Sequence, residues 1–287
     1  MIRDNIADKL VYSTVKLTCY NSSVVSNGTA FFMTMNYDDN NITALVTNKH
    51  VVTADKEHKC FFEQANLVLT KADDKNNPIN NEHVTVHIEN LESRCIFHPN
   101  KSIDVCLVFI NDLITKVQEE GTNLYYRCIG TDFRVPNDIL NDLTPIEDII
   151  MIGYPIGLID EVNNKPVIRK GITATDLRLD YNGKKEFVID AACFHGSSGS
   201  PVFLRKVGLQ QEQTETGISI GIQPTYAFLG ILYAGPQETV DGEIKIETIP
   251  TSKKIYAESK HTVNLGYVIK AEIIIDLFNL VKEHKKN

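Results

Sequence analysis

The sequence predicts an all-β protein: two β-rich halves of about six short strands each, followed by one terminal helix. Three observations carry this. Short runs rich in Val, Ile, Phe, Tyr and Thr, bounded by Asn-Gly, Asp-Gly or Pro, recur along the chain. Only two stretches keep helical spacing. The least regular segment, 111–146, lies between the two β-rich parts. The expected division is therefore 1–115, a connector at 116–146, and 147–287.

In chain order, SVVSNGTAFFMTM (23–35) reads as two apolar runs turning at Asn27-Gly28, a strong hairpin dipeptide. NITALVTNKHVV (41–52) is a further β-rich run, and VTVHIENL (84–91) alternates apolar with polar. SIDVCLVFI (102–110) has the near-continuous apolar character of a buried strand. NDLITKVQEE (111–120) is a short helix or an irregular connector. In the second half, DIIMIGYP (148–155) is a strand and GITATDLRLDYNGKKEFVID (171–190) is two strands around Asn182-Gly183. AFLGILYAG (227–235) and EIKIETI (243–249) complete the set. The stretches 70–83, 205–217 and 236–262 read as polar surface loops, the last with a hairpin at Asp241-Gly242. Over 270–285, Ile273, Ile274, Leu277, Leu280 and Val281 share one helical face, with acids early and lysines late, as the helix dipole favours.

With 287 residues, 43% hydrophobic and 23% charged, the composition is that of an ordinary globular chain. Its 29 basic against 37 acidic residues give a net charge of -8. That argues against a nucleic-acid partner, since phosphate neutralisation needs a basic face. No run approaches the ~18 apolar residues of a membrane span. The charged opening MIRDNIADKLVYSTVKL lacks the apolar centre of an export signal. The expectation is a cytoplasmic protein with no membrane partner. Cys19, Cys60, Cys95, Cys106, Cys128 and Cys193 are scattered without a CxxC pair and are expected as free thiols. His83 and His87 fall in an alternating β stretch, and no His/Cys cluster has metal-ligand spacing. No metal or cofactor is expected.

The sharpest chemical signal is FHGSSGSPVF (194–203), which contains the string G-x-S-G-x-P. Two glycines flank Ser198 at −2 and +1, and they permit a tight bend in which the N–H groups of Gly196 and Ser198 face one spot. Such paired donors stabilise an oxyanion beside a nucleophile. Taken alone, the string is equally a surface turn. A serine nucleophile needs a base, and the base needs an orienting acid. LVTNKHVV supplies His50 at the end of an apolar strand, and HPNKSIDVCLVFI supplies Asp104 where a buried strand begins. His98, in FHPN, is a weaker candidate base at a strand exit.

The order His50, Asp104, Ser198 and the contexts TNKHVV, DVCLVFI and GSSGSPVF resemble the chymotrypsin-fold (trypsin-like) serine peptidases. The likeness is closest to the bacterial branch with glutamyl endopeptidases and HtrA-type domains. NGTAFF, GYPIG, PVIRKGIT, FLGILYAG and NLGYVIKA extend the resemblance along the chain. It implies two six-stranded antiparallel Greek-key barrels with a cleft between them and a C-terminal helix. His50 and Asp104 would come from the first barrel and Ser198 from the second. It implies a serine endopeptidase: Ser198 as nucleophile, His50 as base, Asp104 as orienting acid, and Gly196 and Ser198 as oxyanion donors. The implied partner is a protein or peptide substrate. The alternative is a latent or inactive peptidase-fold binding module switched by a regulatory protein partner. The Ser…Asp…His order of α/β-hydrolase esterases does not fit.

The resemblance also maps a specificity pocket onto Ala192, Cys193, Phe194, His195, Tyr233, Ala234 and Gly235, with Gly266 on the far wall. Ala192 stands where trypsin-type enzymes carry an acid, and Leu232 where glutamyl enzymes carry a histidine. The expectation is an apolar or small residue at P1, the position whose carbonyl is attacked. Asp190, if it reached the pocket, would reverse that.

Overall fold

Strand backbones must satisfy their N–H and C=O groups, and this chain does so in two antiparallel systems. The computed structural model describes residues 5–214, 217–244, 255–262 and 264–286, and no side chain of 137–138, 209–223, 237–263 or 285–287. In the first half the strands are β1 (Thr14–Tyr20), β2 (Val25–Tyr37), β3 (Asn40–Thr47), β4 (Gln64–Ala72), β5 (Pro78–Glu89), β6 (Cys95–Phe97), β7 (Cys106–Val108), β8 (Leu124–Tyr125) and β9 (Ile129–Gly130). They form one nine-stranded sheet along the path β5-β4-β1-β2-β3-β7-β6, with β8 on β4 and β9 on β2. The second half contributes β10 (Asp148–Gly153), β11 (Val167–Thr173), β12 (Glu186–Asp190), β13 (Pro201–Thr214), β14 (Gly217–Ala234), β15 (Gln237–Ile244), β16 (Ile255–Thr262) and β17 (Leu265–Lys270). Strands β10-β11-β12-β17-β14-β13 close into a barrel, and β15 and β16 pair by themselves. The all-β class, the closed six-stranded barrel and the terminal helix are as the sequence predicts.

Each half places its fourth strand beside its first: β4-β1-β2-β3 and β13-β10-β11-β12. That is the Greek-key order. It forces a crossover between the third and fourth strands of each half. The first crossover carries His50 and the second carries Ser198.

The helices are α1 (Ile6–Ser13), α2 (Lys49–Val52), α3 (Leu91–Arg94), α4 (Asn111–Glu119), α5 (Asn137–Asn141) and α6 (Ala271–Lys286). Among the described residues, no helix is long and apolar enough to cross a membrane. Period-2 alternation divides the strand residues between cores. Phe32 faces the first-half interior with Leu17, Leu45 and Leu67, whereas Phe31 faces a core shared by both halves. Val202 likewise faces the barrel interior, and Phe203 the shared core. There Phe31 and Phe203 both pack on Phe228, at ring-centroid distances of 5.4 and 5.7 Å. Helix α6 closes this core with Ile274, Leu277 and Phe278.

Several local expectations are corrected. Asn27-Gly28 is no hairpin turn but lies inside β2. A Cβ on Gly28 would come within 2.5 Å of Val51, so this glycine serves a close approach instead of a bend. Asp241-Gly242 lies inside β15, opposite β16. Residues 205–214 and 217 continue β13 and β14 as a paired ribbon, because such a ribbon satisfies its own backbone without needing an apolar face. On α6, Leu280 is exposed, and Phe278 is the buried residue. Helix α1 was not anticipated.

Candidate active site

Strands β3 and β7 pair antiparallel with Thr47 opposite Cys106. Continued past the strand ends, that register sets the residues after Thr47 alongside those before Cys106. His50, on the one-turn helix α2, thereby meets Asp104. His50 Nδ1 lies 2.5 Å from Asp104 Oδ2, and the His50 backbone N–H donates to Asp104 Oδ1 at 3.3 Å. Asn48 Nδ2 donates to the Asp104 carbonyl at 2.7 Å. The buried Lys49 Nζ donates to the carbonyls of His98 and Asn100 at 2.9 and 3.1 Å, bracing the loop that leads to Asp104. His98 is thus part of the brace, and its own Nδ1 accepts from the Asn100 N–H.

Burial pushes the Asp104 carboxyl up. The hydrogen bonds from His50 and the attraction of its ring outweigh that and hold the group below its ordinary value. An ionised carboxylate can only accept, so the shared proton sits on His50 Nδ1. Whenever the ring is neutral, Nε2 carries a lone pair, and the side chain is 38% exposed, open to a donor.

The Ser198 turn is held almost wholly by backbone. Ser197 N–H donates to the Phe194 carbonyl at 3.0 Å, Gly199 N–H to Leu232 at 2.9 Å, and Ser200 N–H to Ser197 at 3.0 Å. The Phe194 N–H reaches Ser197 Oγ at 3.4 Å. The N–H groups of His195, Gly196 and Ser198 have no acceptor among the described residues. The His195 carbonyl accepts from Ile156 N–H at 2.5 Å. In a trans peptide the Gly196 N–H points the opposite way, away from that loop. Gly196 and Gly199 sit at φ +85° and +87°, and an added Cβ would lie 2.5 Å from the Tyr154 carbonyl and 1.8 Å from the Thr29 carbonyl. Glycine is required at both positions.

Thr29, fully buried on β2, ties the two halves at this point. Its N–H donates to the Ser198 carbonyl at 2.8 Å, and its hydroxyl donates to the Gly196 carbonyl at 2.9 Å. The same hydroxyl accepts from Tyr154 N–H at 3.1 Å. Only its isolated polarity within NGTAFF hinted at this role. Asn48 and Lys49 likewise gave no signal beyond lying next to His50.

Two concavities meet at Ser198. One, of about 410 Å³, is lined by His50, Val51, Ile156, Gly196 and Ser198 among others. The other, of about 210 Å³, takes Cys193, Phe194, His195, Tyr233, Ala234 and Gly235 in its lining. Ser198 Oγ makes no hydrogen bond among the described residues, to His50 or otherwise. Of the residues mapped to the specificity pocket, Ala192 and the far-wall Gly266 lie outside the lining. Asp190 is exposed on β12 and does not line the pocket either. All six cysteines are free. Among the described residues, no cluster of His, Cys, Asp or Glu could hold a metal ion.

No protein-family profile matches the sequence, and no curated protein matches it. Among solved structures, the chain is similar to a thermostable serine protease from an extremophilic microorganism, at 13% identity and TM-score 0.49, covering 96% of this chain and 98% of that one. It is also similar to a serine endoprotease from Yersinia pestis, at 14% identity and TM-score 0.45, over 95% and 64% of the two chains. A third is the protease Anisep from Arthrobacter nicotinovorans, at 12% identity and TM-score 0.47, over 94% and 95%.

Proposed function

We propose that the protein is a serine endopeptidase acting through Ser198, His50 and Asp104. The observation that supports the reading is one concavity lined both by His50, an imidazole oriented by a carboxylate, and by Ser198, whose turn leaves the Gly196 and Ser198 N–H groups without partners among the described residues. In this reading Ser198 Oγ bonds to the substrate carbonyl carbon while its proton passes to His50 Nε2. The negative oxygen is met by the two N–H groups. The C–N bond then breaks, the proton leaves on the amine, and an acyl-enzyme remains. Water repeats the sequence and frees the acid.

A fluorophosphonate probe tests this directly. The expected result is one covalent adduct on the native chain, mapped to Ser198 and absent from Ser198→Ala. Failure to label Ser198 refutes the reading for the isolated protein. The absence of a hydrogen bond on Ser198 Oγ favours one second reading, a latent enzyme whose hydroxyl swings to His50 when a regulatory partner or substrate binds. Labelling of Ser198 only in the presence of added peptide substrate or a cell extract distinguishes it.

A further inference from the structure

Three of the six free thiols, Cys19, Cys95 and Cys106, converge in the first-half interior, just past Asp104 in the chain. β6 and β7 pair antiparallel, with Cys95 opposite Val108 and Phe97 opposite Cys106. Directly opposed residues share a face of the sheet, and so do residues two apart on one strand. Cys95 and Cys106 are therefore diagonal neighbours on one face, and that face looks into the core that also holds Cys19. The Cys95 and Cys106 thiols are in hydrogen-bonding contact. Cys19 and Cys106 are fully enclosed, whereas Cys95 is half-buried.

The pair is close but unbonded, and bonding it requires movement. Diagonal neighbours on one face lie about 7–8 Å apart. A disulfide needs its Cα atoms about 4.4–6.8 Å apart, so closing the bond draws the two residues together by about 1 Å. β6 is free to yield: it is three residues long, stands at the end of the sheet path and pairs on one side only among the described residues. β7 leads back to Asp104 through Val105 alone. Earlier in that loop, Lys49 Nζ pins the carbonyls of His98 and Asn100 to α2. A displacement of Cys106 is then absorbed between Asn100 and Cys106, the stretch that carries Asp104 and its contact to His50.

We propose that Cys95 and Cys106 form a redox switch, in which a disulfide between them displaces Asp104 from His50 and thereby slows the chemistry at Ser198. The oxidant is a hydroperoxide such as hydrogen peroxide. Half-buried Cys95 meets it first, because Cys106 is enclosed. Having given its proton to solvent, the Cys95 sulfur attacks one peroxide oxygen. The O–O bond breaks, hydroxide leaves and takes up a proton as water, and Cys95 becomes a sulfenic acid. The Cys106 sulfur then attacks the sulfenic sulfur, the S–O bond breaks, and the Cys106 proton departs with the hydroxyl as a second water. Two thiols lose two electrons, and the peroxide gains them. A dithiol reductant reverses the bond by exchange. Formation of the bond is independent of the peptidase reading above, and its effect on Ser198 rests on that reading.

The test exposes the folded full chain to a small excess of hydrogen peroxide, caps the remaining thiols and maps the peptides by mass. The expected product is a Cys95–Cys106 cross-link with Cys19 still free. In the oxidised protein the fluorophosphonate rate at Ser198 should fall about 100-fold, the scale of a 1 Å misplacement, and should recover with dithiothreitol. The proton NMR resonance of His50 Nδ1–H should shift or vanish on oxidation, a readout that needs no catalysis. Cys95→Ala should label Ser198 at the native rate and keep both that rate and the His50 resonance through the same treatment. Cys106→Ala stands in if the first variant does not fold. No cross-link, a cross-link to Cys19 instead, or a Cys95–Cys106 bond that leaves the His50 resonance and the Ser198 rate unchanged overturns the switch. If the reduced protein itself fails to label Ser198, the peptidase reading falls, and the mapped bond and the His50 resonance still decide whether the thiol pair moves Asp104.

Discussion

The crossover from β3 to β4 and the crossover from β12 to β13 hold the same place in their Greek keys, but they are built from different materials. The first delivers side-chain chemistry. Its His50, Asn48 and Lys49 are fixed by side-chain hydrogen bonds to Asp104 and to carbonyls of the β6–β7 loop, and no left-handed glycine shapes it. The second delivers backbone chemistry. Its turn is fixed by main-chain hydrogen bonds and two left-handed glycines, and its free groups are N–H donors. One topological position therefore supports two kinds of site. Substitutions should act on activity alone in the first, and on stability as well in the second.

The largest expected effect tests the first half of that contrast. Asp104→Asn keeps the shape of the side chain but can no longer hold the proton on His50 Nδ1. Peptide hydrolysis, or Ser198 labelling, should slow about 10⁴-fold, with the thermal midpoint little moved. A large drop in the midpoint would show that the His50–Asp104 pair is as structural as the Ser198 turn. A smaller effect tests the other half. Gly199→Ala puts a Cβ against the Thr29 carbonyl at a left-handed φ, and should destabilise the fold by about 3 kcal/mol or more, read by urea unfolding. A variant with near-native stability would mean that the turn is softer than its hydrogen bonds suggest.

The smallest effect is one that both regions share, since each keeps a buried thiol close by. Cys106, two residues after Asp104, and Cys193 are both pushed up by burial, Cys193 to about 11. A thiol raised above its unfolded value of about 8.5 stabilises the fold fully below that pH and loses the contribution as pH rises through the folded value. Stability should therefore fall between about pH 8.5 and 11. Cys193→Ala should make that fall shallower by at most about 1.4 kcal/mol per pH unit. An unchanged slope would show that this thiol does not titrate separately from the fold.

Legibility divides along the same line. His50, Asp104 and Ser198 stood out because each combined a reactive side chain with a local pattern: a strand end, a strand start, a glycine-flanked bend. The terminal helix was readable from its 3.6-residue spacing, and α4 only as one of two readings of 111–120. What escaped were features whose reason lies across the molecule. Gly28 looks like a hairpin glycine until Val51 appears opposite it. Leu280 and Phe278 are both apolar, and only the shared core decides which of them is buried. The β13–β14 ribbon satisfies its backbone strand to strand and so needs no apolar face, which left a polar sequence that reads as loop. Thr29 is one threonine among many until two carbonyls from the distant turn converge on it.

Thr29 also constrains how this molecule can move. Its main chain and hydroxyl grip Gly196, Ser198 and Tyr154, all from the opposite half. Any jaw-like rocking between the halves would shear those bonds at the Ser198 turn itself. Under the peptidase reading, a substrate must then enter without the halves parting, while the midline stays clamped like the pivot of a pair of shears.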